Sequence, residues 1–221
     1  NVLGAHHAPV EEREARRHQQ DQGRGGNGKF DVYLAQIGDA GLYGYCAPER
    51  RKPGFQWLAS GYCVLDNDFA EFPLAPMDSA KVTAAHEFFH AIQFGYDFGE
   101  DVWLLEATAT WMEERVFDDV NDNRQYLPYS QIYAPNIPLD AFSRTNGFQY
   151  GNWVFWEYLT SRYGNGLMLK TWKQAGSLKK DGGRSSLPAL QKVLKRKGGF
   201  HKNYARFAAG NLTPAVNFPE G

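Results

Sequence analysis

Apolar and polar positions along the chain follow two different periods, and the change comes near residue 78. From Phe30 to Ile37 (FDVYLAQI) apolar residues alternate with polar ones until Gly38-Asp39. Leu42–Ala47 continues the pattern, a loop rich in Pro, Arg and Gly follows around residues 48–54, and Trp57–Phe69 supplies a further strand or two. Runs of period two bounded by turn residues predict strands, here forming a small, mainly antiparallel sheet. Asp66-Asn67-Asp68 closes it. This triplet reads as a turn, because it lacks the central Gly and distal Glu of an EF-hand calcium loop.

Beyond residue 78 the period is helical. Asp78 or Ser79 is a suitable N-cap for a helix from Ala80 to about Phe94, with Gly95 as its stop. A second helix is predicted over about Val102 to Phe117, and a third from about Tyr150 to Tyr163, closed by Gly164. Shorter helices follow at about 166–175, 187–197 and 200–209, before an irregular tail from Asn211 to Gly221. Between the second and third helices, residues 118–147 are polar and dotted with Pro128, Pro135 and Pro138. That composition predicts a long ordered loop, of the kind that builds lids or groove walls. At the other end, residues 8–22 suggest a surface helix after Pro9, and Gly23 to Gly28 a flexible break. Strands first and helices after argue an α+β fold rather than alternating βαβ units. The organisation expected is an N-terminal helix and Gly-rich segment over 1–29, then one domain over 30–221. Its sheet part covers 30–77 and its helical part 78–210.

Composition narrows the function. Twenty-four basic residues against 25 acidic ones leave a net charge of −1, so nothing draws the chain to nucleic acid or an anionic membrane. No apolar run approaches the roughly 18 residues that a membrane span needs. Aromatics make up 15% of the chain, enough for aromatic-rich packing or an aromatic-lined groove. The two cysteines, Cys46 and Cys63, both fall in the strand region. They read either as one disulfide of an exported protein or as two reduced core thiols. The start, Asn1-Val2-Leu3-Gly4, reads as a processed one and leaves secretion open. Abrupt ends at Asn1 and Gly221 also fit a catalytic piece of a longer parent chain with further domains.

The chemistry concentrates in the first predicted helix. His86 and His90 are four residues apart, so both imidazoles leave one face a turn apart, a spacing that suits two corners of a tetrahedral zinc site. Glu87 projects to one side, within reach of water at such a metal without being a ligand. A chance match to H-E-x-x-H is expected on the order of once in a hundred chains of this length, so the surroundings have to add weight. They do. Ala84, Ala85, Phe88, Phe89, Ala91 and Ile92 make the helix apolar nearly all round, and two histidines and a glutamate buried there need partners. Glu106 opens the second helix among apolar and small residues, as another buried carboxylate. Asp97, Glu100 and Glu113 are its rivals, and Glu113, two turns further along the same face, suits a supporting role.

His86-Glu87-Phe88-Phe89-His90 followed by Trp103-Leu104-Leu105-Glu106-Ala107 resembles the gluzincins, the thermolysin- and aminopeptidase N-like zinc peptidases. The resemblance implies a zincin-like fold, in which the sheet precedes an active-site helix and a helical C-terminal lobe. It also implies Zn2+ held by His86, His90 and Glu106, with Glu87 as general base and then acid. Tyr150, in Gln149-Tyr150-Gly151-Asn152, resembles the tyrosine that stabilises the oxyanion in aminopeptidase N-like enzymes. Tyr150-Gly151, Phe155-Trp156, Tyr158-Leu159 and Tyr163-Gly164 are similar to segments of secreted bacterial peptidases of this type. The chain departs from the pattern in the fifteen residues between His90 and Glu106, fewer than usual, and in Thr110, where thermolysin-like enzymes carry an Asp. The expected activity is hydrolysis of peptide or protein substrates, with an edge strand from Trp57–Phe69 aligning the substrate. A zinc hydrolase of non-peptide amides or esters and a non-catalytic zinc-stabilised binding module are the alternatives.

Overall fold

A computed structural model describes residues 29–178 and 185–218; the helix and Gly-rich break expected over 8–28 lie outside them. Three strands, β1 (Val32–Ala35), β2 (Gly44–Arg51) and β3 (Ala59–Asp66), form one sheet in the order β1-β3-β2. β2 runs antiparallel to β3, with Tyr45 facing Val64 and Cys46 facing Cys63. β1 runs parallel to β3, with Val32 opposite Cys63 and Leu34 opposite Leu65. The sheet is therefore mixed rather than mainly antiparallel, and Asp66 supplies the reason. One of its carboxylate oxygens accepts the Ile37 and Gly38 N–H groups at 2.9 and 2.6 Å, just past the end of β1. Its other oxygen accepts Phe69 N–H at 2.7 Å and Asp68 N–H at 3.3 Å. The ends of β1 and β3 are thus tied at one point, and the two strands must run the same way to it. Asp68 and Glu71 also lie close, but the four backbone donors on Asp66 mark this corner as a turn, as its sequence suggested.

The first helix, α1 (Pro76–Asp97), is longer than expected at both ends. Pro76 sits at its first position, where the missing N–H costs nothing, and the Ala75 carbonyl accepts Asp78 and Ser79 N–H at 2.9 and 3.0 Å. Gly95 does not stop it; the helix runs on to Asp97, whose carboxylate accepts Gly99 N–H at 2.9 Å. α2 spans Val102–Val116. The long segment after it carries a 3-10 helix, Asp122–Tyr129, among its turns. The single helix expected from Tyr150 is two pieces, α3 (Phe148–Gly151) and α4 (Trp153–Tyr163), parted at Asn152 and closed by Gly164 at φ 79°. α5 (Gly166–Leu178), α6 (Ser186–Leu194) and α7 (Phe200–Gly210) follow, and the tail gains a short helix, α8 (Pro214–Asn217). The architecture is α+β.

Two apolar clusters flank α1. Ile37, Leu42, Tyr43, Tyr45, Tyr62 and Val64 pack with the sheet, while Trp103, Trp156, Trp172, Phe155, Leu159 and Leu190 belong to the helical side. α1 packs on β2 and β3 along one side and on α2 along another. Held on two sides by apolar layers, α1 buries half of its residues, among them the polar Ser79, Thr83, His86, Glu87, His90, Gln93 and Asp97, and leaves Phe88 and Ile92 exposed.

Candidate metal centre

His86 and His90 leave the face of α1 that meets α2, and α2 sets Glu106 opposite them. His86, His90 and Glu106 are 2%, 4% and 0% exposed. His86 Nε2 lies 3.2 Å and His90 Nε2 3.4 Å from the same Glu106 oxygen, and the three donor groups fall within 4.8 Å of one another. Ligands at about 2.0–2.1 Å from a tetrahedral zinc stand about 3.4 Å apart, so both spacings match an edge of that tetrahedron. The outer nitrogen of each ring is held as well. His86 Nδ1 meets Glu113 Oε1 at 2.6 Å, and His90 Nδ1 meets Gln93 Oε1 at 2.7 Å. Metal-binding histidines are commonly oriented in this way through the nitrogen that faces away from the ion.

The electrostatics point in the same direction. Burial pulls the His86 pKa down, but Glu106 and Glu113 outweigh it and hold the imidazole well above its usual value. Burial pushes the Glu113 carboxyl up to about 7, against the opposing pull of His86. Both shifts follow from acidic side chains gathered in a buried place. A divalent cation answers the same need with more charge, and imidazole nitrogens with a carboxylate oxygen form a donor set suited to zinc. His86, His90 and Glu106 can hold a metal ion.

Glu87 is buried beside this group, where α1 meets β2. A Cβ on Gly44 would come within 2.8 Å of the Thr83 methyl and 3.0 Å of the Glu87 Cγ, so only glycine lets the strand approach so closely. Behind Glu87 lies the Cys46–Cys63 disulfide, the first of the two cysteine readings, formed across the facing pair of β2 and β3. Its sulfurs pack 2.7 and 3.4 Å from the Glu87 carbonyl oxygen. An apolar groove of about 520 Å³ opens on the β1 side of α1, lined by Phe30, Val32, Leu65, Phe88 and Ile92, with Glu87 among its walls.

Tyr150 lies near the site, its ring 6.1 Å from the His86 ring. It stacks at 5.0 Å on Tyr126, a residue the sequence did not single out. Burial holds the Tyr126 phenol well above its usual pKa, and the charges of Asp122, Glu113, Tyr43 and Glu106 reinforce the shift. Of the rival carboxylates, Glu113 joins the centre. Asp97 caps the end of α1, and Glu100 accepts the Ser185 N–H and hydroxyl at 2.8 and 2.6 Å near the start of α6. One expectation is overturned. Ala59–Asp66 is the central strand, hydrogen-bonded on both sides, so it cannot align a substrate; β1 and β2 are the outer strands. Among the described residues no helix is long and apolar enough to cross a membrane.

No curated protein and no solved structure matches the chain. A family of unknown function, DUF6055, matches residues 55–183, more than half of the sequence, a stretch that includes His86, Glu87, His90, Glu106, Glu113, Tyr126 and Tyr150. The chain belongs to the DUF6055 family.

Proposed function

We propose that the chain is an exported zinc-dependent peptidase of zincin-like architecture. The observation that carries this reading is the convergence of two imidazole nitrogens on one buried carboxylate oxygen at 3.2 and 3.4 Å, with Glu87 next in sequence to the first of them. His86, His90 and Glu106 would hold the ion, which supplies a Lewis acid that acidifies water and polarises a carbonyl. Glu87 takes a proton from the attacking water as its oxygen bonds to the carbonyl carbon. It returns that proton to the amine nitrogen as the C–N bond breaks. Glu113 and Gln93 keep the two imidazoles in register, and Tyr150 donates its phenolic hydrogen to the oxygen that gains charge. Peptide is favoured over other amides or esters because β2 is an outer strand and its Gly44 packs against Glu87. An extended chain pairing with that edge passes the base. The disulfide supports an oxidising, exported setting.

A second reading, a metal held only to stabilise the fold, is favoured by the near-complete burial of the whole group. Hydrolysis of a casein-like substrate by the parent and by Glu87→Gln separates the two. A peptidase loses about 10²–10⁴-fold in rate while keeping its zinc. Equal activity in parent and variant, or none in a zinc-loaded parent, contradicts the proposal.

A further inference from the structure

We infer that Gln93 is a positioning residue that sets the tautomer of His90 and so aims its lone pair at the metal site; this rests on the metal reading above. Gln93 follows His90 by three residues, on the same face of α1, and is buried. Its Nε2 lies 2.9 Å from the Leu105 carbonyl oxygen and 2.9 Å from Thr108 Oγ1. A carbonyl only accepts, so the amide end facing Leu105 must be the NH2. Thr108 agrees with that assignment. Its hydroxyl gives its hydrogen to the Leu104 carbonyl at 2.7 Å, which leaves its oxygen to accept from Gln93 and from Trp172 Nε1 at 3.2 Å. Flipping the amide would set its oxygen against a carbonyl and its NH2 against the ring nitrogen.

The atom 2.7 Å from His90 Nδ1 is therefore an acceptor, and Nδ1 must carry the hydrogen. In a neutral imidazole the lone pair is then on Nε2, which faces Glu106 at 3.4 Å. Trp172, Thr108, Gln93 and His90 form one buried relay across α5, α2 and α1. His86 is treated differently, since Glu113 backs it with a carboxylate where His90 has a neutral amide.

The test compares the parent, Gln93→Met and Gln93→Glu, reading zinc affinity with a competing chelator and the His90 tautomer by long-range 1H–15N NMR of the metal-free proteins. Glutamate keeps an acceptor for Nδ1 and, protonated on its other oxygen, still donates to the Leu105 carbonyl; methionine fills the space with neither. Zinc affinity should fall about 10–100-fold in Gln93→Met and stay within a few-fold of the parent in Gln93→Glu. His90 should carry its hydrogen on Nδ1 in the parent and the Glu variant, and lose that preference in the Met variant. Parental zinc affinity in Gln93→Met, equal losses in both variants, or a parent with the hydrogen on Nε2 overturns the inference. The parent spectrum decides even if a variant does not fold. A parent that binds no zinc removes the metal reading, whereas the NMR comparison still judges the role of Gln93.

Discussion

Asp66 shows at the residue scale how a single buried carboxylate can set topology. Burial on its own would raise its pKa, but the N–H groups of Ile37, Phe69, Gly38 and Asp68 outweigh burial and hold it below the usual range. A pKa lowered on folding means that the stabilising contribution is complete above the unfolded value of about 3.9 and fades as pH falls through the folded one. Asp66→Asn turns an NH2 group toward backbone donors and should cost about 2–3 kcal/mol at neutral pH. Urea denaturation of parent and variant should show that gap closing below about pH 4; a gap independent of pH contradicts the account. Legibility varies at this scale. His86, Glu87 and His90 could be read because one helical turn fixes their relation, and Glu106 because its apolar neighbours announce burial. Gln93 shares a helical face with His90, but its role could not be read, since Leu105 and Thr108, which fix its amide, reach it only when α1 meets α2. Tyr126 could not either, because the path of an aperiodic loop decides where it lands.

Among the elements, periodicity located the strands and helices well, whereas their ends and order depended on particular contacts. α1 begins at Pro76 and passes through Gly95 because packing on both sides outweighs the local cost of a glycine in a helix. Neighbouring runs usually pair antiparallel, and the Asp66 clamp reverses that for β1. β2 and β3 are joined by both hydrogen bonds and the Cys46–Cys63 bridge, which closes a separation of 17 residues. Removing the bridge with Cys46→Ser/Cys63→Ser should cost about 3 kcal/mol, measured as a lower urea midpoint with a slope no shallower than the parent's, since the unbridged denatured chain is less compact. A reductant should lower the parent midpoint and leave the variant unchanged. If reductant leaves the parent unmoved as well, the bridge is not formed in solution.

For the whole molecule, the decisive fact is the position of α1 between a small sheet and an aromatic helical core. A helix in that place buries polar side chains that a surface helix would leave in water, and each of them needs a partner. Its histidines find one carboxylate, Glu106, with Glu113 and Gln93 behind them, and Glu87 is left beside β2. The order of strands before helices made the α+β class legible, and the histidine spacing made the site legible. The assembly around it, with Tyr126 from the long segment, Tyr150 from α3 and a disulfide against the helix backbone, belongs to the folded chain alone. The central claim is that His86, His90 and Glu106 bind one metal ion, and elemental analysis tests it most directly. After exposure to zinc and gel filtration, the folded parent should hold about one zinc per chain, and folded Glu106→Ala about a tenth of that or less. A folded parent that retains no zinc, or a Glu106→Ala variant that retains as much as the parent, contradicts the account.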